Sequence, residues 1–70
     1  MQWIETPESP SLLRFGYVQA TSTLTVEFKS GGTYQYFDVP QWKFDAMTQA
    51  SSKGQFLAQS IKGTHRYARM

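Results

Sequence analysis

In Thr23-Leu24-Thr25-Val26-Glu27-Phe28-Lys29, the apolar Leu24, Val26 and Phe28 alternate with the polar Thr23, Thr25, Glu27 and Lys29. A period of two with one apolar side is the pattern of a β-strand lying half-buried on a core. Ser30-Gly31-Gly32 comes next, and its glycines supply the positive φ that a tight hairpin turn needs. Beyond the turn, Thr33 to Asp38 reads as the returning strand, with Tyr34 and Tyr36 on one of its faces. Turn length sets which face that is. A three-residue loop, Ser30 to Gly32, pairs Phe28 with Tyr34 and Val26 with Tyr36 over the core. A two-residue Gly31-Gly32 loop turns both tyrosines to the other side. The first register is the better hydrophobic match, because the second sets Gln35 beside Phe28.

Upstream, Leu13, Phe15 and Tyr17 alternate with Arg14 and Gly16, which predicts a strand ending near Ala20 and a turn at Thr21-Ser22. Residues 1–10 carry Pro7 and Pro10 and read as an extended lead-in pinned by Trp3 and Ile4. Downstream, Pro40 suits the first turn of a helix. Trp42, Ala46 and Ala50, widened by Met47, form its apolar stripe, and Phe44 falls off it. Ser52 is an N-cap for a second helix, with Gln55 three residues on. Phe56, Leu57, Ser60 and Ile61 line that helix, Gly63 ends it, and Thr64 to Met70 is expected to be a mobile tail. Three strands followed by two helices define an α+β fold: a three-stranded antiparallel meander with both helices packed on one face, a single domain over residues 1–70.

Composition narrows the function. Seventy residues bury only about 60% of the surface of the unfolded chain, and eleven aromatics (Trp 2, Tyr 4, Phe 5) compensate with large side chains. With no cysteine there is no disulfide, thiolate metal site or thiol nucleophile, which fits a reducing compartment. No apolar run approaches the roughly 18–20 residues of a membrane span. Glu5 and Glu8 stand where a signal peptide carries basic residues, so a cytoplasmic domain is expected. One histidine, His65, without an acidic neighbour in sequence argues against catalysis, metal binding or any cofactor. Even if Glu27, Asp38 and Asp45 meet in space, so small a domain is expected to offer little depth for a water-excluded pocket of roughly 300–1,000 Å³. The net charge of +2 is modest for a dedicated nucleic-acid binder.

Gly16-Tyr17, Leu24-x-Val26-x-Phe28, Gly31, Tyr34-Gln35-Tyr36, Val39-Pro40, Ala50-x-Ser52-Lys53-Gly54 and Ile61-Lys62 occur in an order that resembles the KTSC domain, over residues 11 to 67. That family takes its name from a domain at the C-terminus of some lysyl-tRNA synthetases and also occurs as a stand-alone bacterial protein. The resemblance implies no settled activity; its synthetase context suggests RNA binding. Val18 replaces an aspartate frequent in the family and Ala58 an asparagine, so a ligand site built on either is not carried over.

Two function classes follow. The first is a non-catalytic RNA or nucleic-acid binding module. Tyr34 and Tyr36 share a strand face, as do the stacking aromatics of sheet-based RNA binders, with Arg14 and Lys29 as nearby cations. The ordinary alternative packs both rings beneath the helices. Lys53 lies beside a helix N-terminus that can receive a phosphate, although a plain cap with a solvated lysine is the strongly favoured reading. Lys62, Arg66 and Arg69, around His65 and Tyr67, form the densest basic stretch. It would hold phosphates with salt-sensitive affinity, or serve as a solubilising terminus. The second class is a protein-interaction module or homodimer using the two open edges of the meander, with Trp3 or Phe44 exposed.

Overall fold

A computed structural model describes residues 2–70 of the chain. The alternating stretch forms the central strand β3 (Thr23–Phe28), flanked by β2 (Leu12–Val18) and β4 (Thr33–Tyr36). Beyond these lie β1 (Gln2–Glu5) and β5 (Tyr67–Arg69), giving a five-stranded antiparallel meander in the order β1-β2-β3-β4-β5. Between β4 and β5 the chain forms α1 (Gln41–Gln49) and α2 (Lys53–Phe56), the latter continuing as a π-helical turn, Leu57–Ile61. Phe44, Met47, Leu57 and Ile61 pack with Phe15, Tyr17, Leu24, Val26 and Tyr36 in one core, so both helices cover the same sheet face.

Five strands replace the three expected. The lead-in pairs with β2, Ile4 opposite Phe15 and Trp3 opposite Gly16, because Pro7 lies beyond the strand and bounds it rather than breaking it. The tail is the fifth strand: Tyr36 pairs with Tyr67 and Tyr34 with Arg69, while the Met70 amide donates to the Thr33 carbonyl at 2.8 Å. Its anchor is His65, whose Nδ1 lies 3.1 Å from the Phe37 carbonyl and whose Nε2 lies 2.9 Å from Lys43 Nζ. Both edges expected to be open, those of β2 and β4, are therefore paired, and the free edges belong to β1 and β5.

The hairpin keeps the expected face but not the expected pairs. Val26 opposes Tyr34 and Leu24 opposes Tyr36, two residues from the anticipated register, so the tyrosines still lie over the core. The Gly31 amide donates to the Phe28 carbonyl and the Phe28 amide to the Gly32 carbonyl. Lys29, Ser30 and Gly31 thus form a three-residue loop, and Gly31 takes the positive φ of 107° that such a loop requires of its last residue. In β2 the register slips between Leu12 and Arg14. This bulge turns Leu12 into the core and Leu13 out to solvent, reversing the simple alternation.

Helix α1 presents the opposite choice to its expected stripe. Phe44 is 2% exposed and Trp42 64% exposed. Ala50, with ψ 140°, already lies outside the helix, so the stripe lost its last member. Met47 keeps its expected place in the buried face, and Phe44, three residues before it, takes the position expected of Trp42. The Ser52 side chain caps α2 by accepting from the Gln55 amide, as expected. The Lys62 amide donates to the Leu57 carbonyl five residues back, which widens the last turn before the chain leaves through Gly63.

Candidate nucleotide-binding groove

Of the eight basic and aromatic residues singled out in the sequence, four converge. Tyr34 and Tyr36 from β4, Lys62 from the end of α2 and Arg69 from β5 line one groove of about 490 Å³. Phe28, Ser30, Gly32 and Tyr67 complete its wall. The rings form a continuous bank: Phe28 meets Tyr34 edge-on at 5.5 Å, and Tyr67 lies 5.9 Å from both Tyr34 and Tyr36. Lys62 Nζ sits 5.1 Å over the Phe28 ring and the Arg69 guanidinium 5.8 Å over Tyr34. A Cβ on Gly32 would come within 3.1 Å of the Tyr34 ring, so the glycine lets that ring lie against the hairpin backbone.

Tyr36 forms the floor. It is 3% exposed, yet its hydroxyl has no protein partner among the described residues and is not sealed from solvent. Burial, reinforced by Tyr34 and Tyr67, pushes its phenol pKa up, so the floor presents a neutral O–H. Among the described residues no Asp or Glu lines the groove, and its two cations are not neutralised there.

The other four sequence candidates lie elsewhere. Arg14 is on the opposite sheet face, where Nε and a terminal nitrogen donate to the Glu27 carboxylate at 3.0 and 3.1 Å and the guanidinium stacks 4.1 Å over Trp3. Lys29 sits on the hairpin loop, with Nζ 3.4 Å from the Pro7 carbonyl. Lys53 Nζ donates to the Ala50 carbonyl at 3.1 Å. Arg66 pairs with Asp38 at 3.3 Å, both well exposed; it borders a shallower depression of about 590 Å³ around Gly63 to Tyr67. Phe28 and Tyr67, with the small Ser30 and Gly32, are the groove residues outside the expected site. Tyr67-Ala68-Arg69 repeats the i, i+2 spacing of Tyr34-Gln35-Tyr36, a strand signal that the surrounding charge obscured.

Among the described residues no helix is long and apolar enough to cross a membrane, and no three His, Asp or Glu side chains gather as a metal site.

Comparison with known proteins yields a consistent family. The chain is 41% identical over 64 residues, 91% of its length, to a lysine–tRNA ligase of Nostoc punctiforme. It is 36% identical over 55 residues to a protein of Tsukamurella paurometabola, covering 82% of that protein. It spans only 11% of the ligase, about a tenth of that enzyme's length. The crystal structure of a KTSC domain protein from Yersinia pestis superposes with a TM-score of 0.92 at 32% identity, covering 99% of this chain and 96% of that one. Since the model of the KTSC domain family matches residues 8–67, nearly the whole chain, the protein belongs to that family.

Proposed function

We propose that this domain is a non-catalytic cytoplasmic module that binds single-stranded RNA in the groove between β4, β5 and the end of α2. One observation carries the reading: four aromatic rings and two cations line the same cleft without a carboxylate among them. Rings stack on bases with a gain of roughly 1–3 kcal/mol each, with little dependence on base identity. Cations beside them attract the phosphates. Related sequence within a lysine–tRNA ligase supports an RNA rather than a DNA partner.

The test is fluorescence anisotropy of a labelled single-stranded RNA hexamer across a salt series. Two phosphate contacts, through Lys62 and Arg69, give a slope of log K against log salt near about −1.4, and Arg69→Gln halves it. Tyr67→Ala weakens binding roughly tenfold at every salt concentration. A slope unchanged by Arg69→Gln, with affinity indifferent to Tyr67, would place the RNA outside the groove and sink the proposal.

A further inference from the structure

The groove has a direction. Same-face rows of an antiparallel sheet follow one another at about 7 Å, two residues of strand rise. The first row joins Phe28 to Gly32, the next Val26 to Tyr34 and Arg69, and the third Leu24 to Tyr36 and Tyr67. Lys62 lies over Phe28 and Arg69 over Tyr34, so both cations belong to the first two rows. Among the described residues, no cation lies over either ring of the third row and the Tyr36 hydroxyl there has no protein partner. One end of the cleft is therefore cationic and the other phenolic and flat, separated by about one row.

We infer that the groove holds a single nucleotide unit in one orientation, its base against Tyr67 and above Tyr36, its phosphate between Lys62 and Arg69. This rests on the RNA-binding reading and adds a site size and a polarity to it. The volume of about 490 Å³ lies within the range of small-molecule sites and is too small for several nucleotides. Tyr36 faces the base end with a neutral O–H, able to donate to a base carbonyl or ring nitrogen. Either a free nucleotide or one residue of a strand offers this chemistry.

The experiment compares four probes on the intact domain by amide, tyrosine-ring and Arg Nε shifts: uridine 5′-monophosphate, uridine, inorganic phosphate and an oligouridine hexamer. The monophosphate is expected to move the rings of Tyr36 and Tyr67 together with Arg69 Nε, and uridine to bind about tenfold more weakly through the same rings. Phosphate alone moves Arg69 and leaves Tyr67 still. Arg69→Gln cuts the advantage of monophosphate over nucleoside from about tenfold to about threefold, the share left to Lys62, whereas Tyr67→Ala weakens both equally; the two side chains are exposed, so neither change endangers folding. A hexamer affinity far above that of the monophosphate assigns the natural source to a strand, and equal affinities assign it to a free nucleotide; both keep the one-nucleotide site. If the hexamer shifts the groove while monophosphate and nucleoside bind alike, or phosphate moves Tyr67, the polarity is wrong and the RNA reading survives. If none of the four shifts the groove, the RNA reading itself falls.

Discussion

Tyr17 and Tyr36 lie on the same sheet face, 5% and 3% exposed, yet their surroundings differ in kind. Under α1, Tyr17 stacks on Phe44 at 4.9 Å, nearly parallel, and its hydroxyl donates to the Val39 carbonyl. Phe15 meets the same Phe44 ring edge-on at 5.8 Å. Under the end of α2, the ring neighbouring Tyr36 is the exposed Tyr67, and among the described residues its hydroxyl has no protein partner. One end of the core is closed by a helix that supplies both a ring and an acceptor; the other is left as a cleft. Burial alone does not distinguish these two tyrosines, whereas the partners of their hydroxyls do.

The largest effect should come from removing the lid of the closed end. Phe44→Ala is expected to cost about 3–5 kcal/mol in urea unfolding, a large part of the roughly 4–10 kcal/mol that a chain of this length commands. Trp42→Ala, on the same helix but exposed, should stay within about 0.5 kcal/mol. Equal losses would break the assignment of the buried face. Next, Tyr17→Phe deprives the Val39 carbonyl of its donor and should cost about 1–3 kcal/mol, while Tyr36→Phe removes no internal bond and should stay within about 0.5 kcal/mol. A third hydroxyl sharpens this contrast: Thr25 Oγ1 is fully buried without a partner, so Thr25→Val should stabilise by about 1 kcal/mol.

Alkaline pH gives the smallest and most selective effect. Desolvation, then Tyr34 and Tyr67, raises the Tyr36 pKa above the free value of about 10, so the native state holds this proton after the unfolded chain has lost it. The stability contributed is fully present below about pH 10 and declines as pH climbs through the raised pKa. Unfolding curves taken from about pH 8 to 11 should show a decline that Tyr36→Phe makes shallower; an identical decline in the variant would contradict the desolvated phenol.

The α+β class, the β3–β4 hairpin and the Ser52 cap are legible in the sequence, because each rests on a period or a turn residue acting locally; the tyrosines' side is only favoured there, since it turns on loop length. What escaped it was non-local. A four-residue β1 and a three-residue β5 are too short to show a period, and each exists because a neighbouring edge would otherwise leave its backbone unpaired. The Phe44 side of α1 was misread because the stripe leaned on Ala50, one residue past the helix end. In the candidate site, Tyr34, Tyr36, Lys62 and Arg69 were read from the sequence, but Arg14 was satisfied by Glu27 across the sheet on the opposite face, a partnership set by register. Tyr67 entered the cleft only through β5 pairing.

The most direct test labels the tyrosine rings and follows them during titration with the single-stranded RNA hexamer at low salt. The account predicts saturable shifts for Tyr34, Tyr36 and Tyr67 while Tyr17, sealed beneath Phe44, stays in place. Motionless groove rings, or shifts confined to the backbone around Lys29, Lys53 and Arg66, would contradict it.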